Sequence, residues 1–178
     1  RVTGSVSYSI QCLRNQGHGV EINGSSLNEL WYLECAGNHK SGLAIHGPDA
    51  TYNDIFNFTS GRYTNPANYE NLLLGNTEHG IHLYGGANHN TIGMENQLVR
   101  LVDNGGHGAL VEGAGTSYNT IYCLAGYGHS VSDSILGGNG GDGLRFSGGA
   151  SHNLVTHSMI NGNESNGLTF EGAGTEYN

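Results

Sequence analysis

Side chains able to carry out acid–base chemistry recur at equivalent places in a repeated six-residue phrase. The phrase is a glycine, an apolar residue, any residue, a second apolar residue, any residue and a second glycine. Its variable places include His46, His82, Tyr84, Glu112 and Arg145. Imidazole exchanges protons near neutral pH, phenol and carboxyl groups serve as acid–base partners, and guanidinium binds anions. These groups can form one site only if the phrases lie side by side in register.

The phrase belongs to a longer internal repeat. Its six copies begin at Gly19, Gly42, Gly80, Gly108, Gly143 and Gly167. Four residues before each of these glycines stands an asparagine: Asn15, Asn38, Asn76, Asn104, Asn139 and Asn163. Nine to eleven residues after each glycine stands another: Asn28, Asn53, Asn90, Asn119, Asn153 and Asn178. Columns that keep register over so many copies predict a repeat architecture.

The alternating apolar residues of each phrase have the period of two that is typical of β-strands. No segment of similar length shows the apolar spacing of an amphipathic helix. The shortest distance between leading glycines is 23 or 24 residues. Short strands joined by Gly and Asn turns at this period predict an all-β parallel β-helix, in which equivalent residues of successive coils stack about 4.8 Å apart.

Stacking assigns further columns to the interior and to the turns. The asparagines are expected at the turns, where Asn tolerates left-handed dihedrals and its amide can bond to the Asn above and below. An aliphatic column follows the second asparagine by two residues: Leu30, Ile55, Ile92, Ile121 and Val155. An inward column is expected three residues before the first asparagine: Cys12, Cys35, Leu73, Leu101, Leu136 and Ile160.

Alternate residues of each phrase should point outward in two columns. The first contains Glu21, Ala44, His82, Leu110, Arg145 and Thr169. The second contains Asn23, His46, Tyr84, Glu112, Ser147 and Glu171. This alignment brings His46, His82 and Tyr84 together, with Glu112 beside Tyr84. It places Arg145 two coils, or about 10 Å, from His82.

The repeat resembles the right-handed parallel β-helix of the pectate-lyase-like superfamily, and is most similar to bacterial extracellular β-helix repeat proteins. Runs such as GGANHNTI and GAGTSYNTI carry the resemblance, which covers essentially the whole chain. It implies a right-handed solenoid of about six coils. We expect residues 1–178 to form one domain that is a segment of a longer solenoid. It says little about function, because this fold carries lyases, epimerases, glycosidases, tailspikes and adhesins.

One function that the resemblance implies is a polysaccharide lyase or C5-epimerase acting from the outward strand face. Arg145 would then bind a uronate carboxylate, His82 or His46 would act as the base, and Tyr84 as the acid. The distance of Arg145 from His82 and the presence of a single lysine, Lys40, argue against this interpretation. A glycosidase would need paired acids, and Glu112 has no acidic neighbour in these columns.

The interpretation that we favour is an extracellular or cell-surface scaffold with a structural or adhesive role. Its expected partners are polysaccharide or copies of itself, stacked end to end or as trimers, since a bare coil end would expose unpaired strand edges. The net charge of −9 and the absence of a basic patch argue against nucleic acid as a partner. No apolar run has the length of a membrane span, and no cofactor is expected.

Histidines and cysteines leave two alternatives open. His18, His79 and His107 each precede a leading glycine and are expected to serve the turn, although stacked His79 and His107 could also ligate a metal. No metal site is predicted, since a third ligand is not evident. Cys12 and Cys35 share the inward column, so they could form a disulfide or remain two buried thiols. Cys123 has no partner in register.

Overall fold

A computed structural model describes residues 1–4, 9–61, 75–94, 99–122, 124–125 and 138–178. All regular elements in these ranges are β-strands. Among the residues described there is no helix with the length and apolarity needed to cross a membrane. Cys123, Leu73 and Leu136 lie outside these ranges.

The strands are short, and most have between two and four residues. In chain order they are β1 (Val2–Thr3), β2 (Ile10–Leu13), β3 (Val20–Asn23), β4 (Glu29–Ala36), β5 (Leu43–His46), β6 (Asp54–Gly61), β7 (Ile81–Tyr84), β8 (Thr91–Ile92), β9 (Arg100–Val102), β10 (Ala109–Glu112), β11 (Thr120–Ile121), β12 (Leu124–Ala125), β13 (Leu144–Ser147), β14 (Leu154–Val155), β15 (Met159–Ile160) and β16 (Leu168–Glu171). They form two sheets whose pairings are all parallel, an arrangement consistent with a β-solenoid.

The repeated phrases form the first sheet, in the order β16-β13-β10-β7-β5-β3. Consecutive phrases pair without slippage, so that Ala44 lies opposite His82 and His46 lies opposite Tyr84. The register confirms the alignment of both columns predicted from the phrase, although Ala44 and Leu110 of the first column are buried. The apolar residues between them, such as Ile45 and Leu83, are fully buried. The alternation of the phrase therefore decides which side chains reach solvent.

The second sheet contains the remaining strands, and its pairing confirms the aliphatic column. Ile55 lies opposite Leu30 on one side and Ile92 on the other, and Ile121 continues the column to Val155. The side chains of Ile55, Ile92 and Ile121 are fully buried. The two sheets thus enclose one apolar core, to which both contribute.

The predicted inward column is confirmed at Cys12, Cys35, Leu101 and Ile160, and the described strands hold other residues at its two remaining places. Cys12, Cys35 and Leu101 lie where expected, but Ser60 stands between Cys35 and Leu101 in place of Leu73. Ala125 stands in place of Leu136, opposite Leu101 on one side and Ile160 on the other. The prediction took the residue three places before each asparagine. This rule fails at these two repeats, because additional residues separate the strand end at Gly61 or Ala125 from the next ladder asparagine in the sequence.

Both asparagine columns form ladders of side-chain hydrogen bonds. In the first, each Nδ2 donates to Oδ1 of the next asparagine over 2.7–2.9 Å. In the second the corresponding distances are 2.8–3.0 Å. The same Oδ1 also accepts a backbone N–H, as Asn53 does from Asn28. Burial of these amides is tolerated because their polar atoms are bonded.

Left-handed dihedrals were expected at the ladder asparagines, but in the second ladder they fall on the residue before each asparagine. Ahead of the second ladder, φ lies between +54° and +60° at Leu27, Tyr52, His89, Tyr118, His152 and Tyr177. The reason is that the asparagine itself must turn inward to bond its neighbours, so the preceding residue makes the bend. Gly113, the closing glycine of the fourth phrase, also has a positive φ, of +89°.

Candidate functional site

The candidate site lies on the outward face of the first sheet, where three of the predicted side chains are in contact. Tyr84 stacks on His46 across the strand pair, with ring centroids 4.6 Å apart, and on His82 of its own strand at 4.2 Å. Tyr84 and His82 are two residues apart on β7 and therefore share a face. Burial raises the pKa of Tyr84, and the carboxylates of Glu21, Glu78 and Glu112 add to the effect.

Each imidazole of this cluster is bound by a glutamate of an adjacent strand. Nε2 of His82 lies 2.8 Å from a carboxylate oxygen of Glu112, and Nε2 of His46 lies 2.8 Å from one of Glu21. Burial lowers the pKa of His82, although Glu112 opposes this effect. The hydrogen bond to His46 lowers the pKa of Glu21. Glu112 was predicted beside the cluster, whereas Glu21 was placed in the column but missed as a partner.

Arg145 is separated from this cluster, as expected, and its charge is already paired. Leu110 lies opposite both His82 and Arg145 and so stands between them. The guanidinium donates to Asp142 over 3.1 Å and is also bonded to Glu171. Asp142 is 1% exposed. Its burial opposes ionisation, but bonds from the Asn166 backbone and from Arg145 lower its pKa. This cation is neutralised within the protein.

The histidines before the leading glycines bond to the backbone of the following repeat. Nδ1 of His79 accepts the N–H of His107 over 3.0 Å, and Nδ1 of His107 accepts the N–H of Asp142 over 2.8 Å. His18 accepts the N–H of Ser41 in the same way. Burial lowers the pKa of His79 to about 3. These contacts match the turn role expected for the three residues. Across the described ranges, no three His, Cys, Asp or Glu side chains are grouped to hold a metal ion.

A ladder of exposed aromatic rings lies beside the second asparagine ladder and was missed by sequence reasoning. Its members, which we call the aromatic ladder, are Tyr52, His89, Tyr118, His152 and Tyr177. Successive ring centroids are 5.0–5.1 Å apart, and the rings are stacked. The tyrosine residues are 53–75% exposed. The signal was present in the sequence, since one of these residues directly precedes each of five ladder asparagines.

Comparison with known proteins leaves the site to be interpreted from its own geometry. No family model, curated protein or solved structure matches the chain. The parallel sheets and asparagine ladders are compatible with the β-helix resemblance seen in the sequence. Because that fold hosts unrelated functions, the side chains must carry the functional argument.

Proposed function

We propose that the protein is a right-handed parallel β-helix of about six coils that serves as a structural or adhesive scaffold outside the cell or on its surface. The observation that carries the proposal is the internal pairing of the charged groups on the outward face. His46 is bound by Glu21, His82 by Glu112, and Arg145 by two carboxylates. Such pairing orders the surface of the solenoid, and it leaves none of these three side chains free to bind an anionic ligand.

The charge of the face opposes an acidic polysaccharide substrate. A uronate carboxylate would have to displace Asp142 or Glu171 from Arg145, and Asp142 is buried against that guanidinium. Glu21, Glu78 and Glu112 add negative charge around Tyr84. The chain as a whole carries −9. Like charges repel, so a neutral glycan fits this protein better than an anionic one.

The aromatic ladder offers the contact surface for such a glycan. Its rings stack on one another, so their edges, with phenol hydroxyls and imidazole nitrogens, are directed away from the stack. These groups can donate and accept hydrogen bonds, and the centroids of the rings that carry them are 5.0–5.1 Å apart. A row of regularly spaced polar edges on an apolar support can bind sugar hydroxyls along an extended chain. These properties support our proposal that the aromatic ladder is the surface that adheres to a polysaccharide.

Co-sedimentation with insoluble neutral polysaccharides tests the proposal. Tyr118→Asn removes the central ring but keeps a residue that tolerates left-handed φ, so binding should weaken without loss of folding. Tyr122→Ala is the matched control, because Tyr122 pairs with His157 outside the aromatic ladder. Binding that is equal in both variants, or no binding to any polysaccharide combined with a monomeric state in sedimentation, would refute the adhesive scaffold.

The second candidate function is a lyase or epimerase, favoured by the contact of His82 with both Glu112 and Tyr84. A carboxylate that orients an imidazole can support its action as a base. The test is incubation with pectate, alginate and glycosaminoglycans, followed by absorbance of unsaturated uronates and by NMR of the product for epimerisation. Activity that disappears in His82→Ala would overturn the scaffold proposal.

A further inference from the structure

Two cysteines occupy equivalent places on adjacent parallel strands. Cys12 of β2 lies opposite Cys35 of β4 in the pairing register, and both thiols are free. Neighbouring strands lie about 4.8 Å apart, within the Cα separation of about 4.4 to 6.8 Å that a disulfide usually spans. Both side chains belong to the same core region, where Cys35 is buried and Cys12 packs against it. The Cα separation set by this register is therefore one that a disulfide can span.

The place of each strand in the sheet makes the two thiols unequal. Strand β4 lies between β2 and β6, so Cys35 is covered by Cys12 on one side and Ser60 on the other. Its exposure is 1%. Strand β2 pairs only with β4 among the described strands, so Cys12 is left partly accessible. An incoming reagent can therefore reach Cys12 but not Cys35.

We propose that Cys12 and Cys35 form a redox-modified dithiol site, in which Cys12 reacts with a low-molecular-weight disulfide and Cys35 closes the bridge. The Cys12 thiolate attacks one sulfur of the disulfide, forms a mixed disulfide and releases the first thiolate. Cys35 gives its proton to that thiolate, and its sulfur attacks Sγ of Cys12 and releases the second thiolate. Two electrons pass from the cysteine pair to the reagent, which leaves as two thiols after proton uptake.

The hydrogen bond between the thiols supports this division of roles. Donation from Cys35 lowers the pKa of Cys12 to about 7 and, together with burial, raises the pKa of Cys35 well above its ordinary value. A thiol with a pKa near the ambient pH is the best attacking group. The inference does not depend on the proposed scaffold function, because it rests on the register of β2 and β4 and on the unequal burial of the two thiols.

Titration with oxidised glutathione tests the inference by intact mass and peptide mapping. The chain should carry Cys123→Ser, so that the third cysteine does not react. With both Cys12 and Cys35 present, we expect the loss of two hydrogens and a Cys12–Cys35 peptide. Cys35→Ser should stop at a glutathione adduct on Cys12. Cys12→Ser should react at least about tenfold more slowly, because a buried thiol must wait for local opening.

The unsubstituted pair keeps the test decisive even if a serine variant folds poorly. Peptide mapping of the folded chain would overturn the proposal if glutathione stayed attached at Cys12 without a bridge, or if neither cysteine reacted. Faster modification of the Cys12→Ser chain than of the Cys35→Ser chain would also overturn the assigned roles.

Discussion

Replacing Asn119 with alanine should destabilise the protein strongly, because this side chain makes four hydrogen bonds while fully buried. Its Oδ1 accepts the backbone N–H and the Nδ2 group of Asn90, both at 3.0 Å. Its Nδ2 donates to the carbonyl of Ala87 and to Oδ1 of Asn153, also at 3.0 Å. Its exposure is 0%. Water cannot replace these partners without entering the core.

The magnitude follows from the groups that lose their partners. Alanine at this position leaves the backbone N–H of Asn90 unbonded and removes the side-chain donor from the carbonyl of Ala87. The amide of Asn90 is partly compensated, because it also donates to the carbonyls of Ala50 and Asn88. A buried group without its partner costs about 1–3 kcal/mol, so the expected loss is about 3–5 kcal/mol of unfolding free energy.

Denaturant unfolding, followed by circular dichroism, measures this loss against two comparison variants. Asn88→Ala is the matched control, because Asn88 is half-buried and donates to Gly86 and Pro48 outside the ladder. Its cost should stay below about 1 kcal/mol, since water can reach the freed groups. Asn119→Asp keeps the shape of the side chain but replaces the Nδ2 donor with a carboxylate oxygen. At neutral pH that oxygen would face two other acceptors, the carbonyl of Ala87 and Oδ1 of Asn153, so this variant should be no more stable than Asn119→Ala. A loss in Asn119→Ala no larger than that in Asn88→Ala would refute the reasoning.

Three further predictions concern close packing, pH and redox state. Gly80→Ala should lower the free energy of unfolding, measured with denaturant, by at least about 2 kcal/mol. The reason is that a Cβ at this position would lie 2.5 Å from the carbonyl oxygen of Gly108 in the next repeat. Gly17→Ala is the control, because a Cβ there would contact nothing within 4 Å. Equal costs for the two glycines would contradict the register. The pKa of His79 falls from about 6.5 unfolded to about 3 folded, so stability should decrease as pH falls through this window and decrease less in His79→Gln. An unchanged slope in that variant would exclude His79 as a source. A disulfide between Cys12 and Cys35 closes a short loop and should raise the free energy of unfolding by about 3 kcal/mol. The Tm of the oxidised protein should therefore be about 6–12 °C above that of the reduced protein. Identical melting would contradict this.

The register of the first sheet could be predicted because each phrase carries its own anchors. Two glycines fix the ends of the strand, and the alternation between them fixes which residues face the core. Gly80 illustrates the physical basis, since a side chain there would collide with the adjacent repeat. The outward positions of His82 and Arg145 followed directly. A pattern that is enforced by packing at every copy leaves little freedom to misplace a residue.

The errors arose where sequence distance no longer measured position in the fold. Leu73 is three residues before an asparagine, yet Ser60 holds the corresponding place in the sheet. Pairings of side chains on the face were equally hidden, because the bond from His46 to Glu21 runs diagonally between strands. Such a bond depends on rotamers and on the small Ala44 opposite Glu21, not on the repeat itself.

The aromatic ladder was hidden because its residues share a conformation and not a chemical type. Tyr118 and His152 both have positive φ, which L-residues adopt at a cost of about 1–3 kcal/mol, and glycine would adopt it with little strain. The buried amides of Asn119 and Asn153 hold the backbone in this turn, but they do not require a ring before them. Leu27 makes the same turn without an aromatic side chain. Five consecutive exposed rings at such positions therefore exceed what the turn demands, and this excess is the physical reason for proposing this ladder as the contact surface.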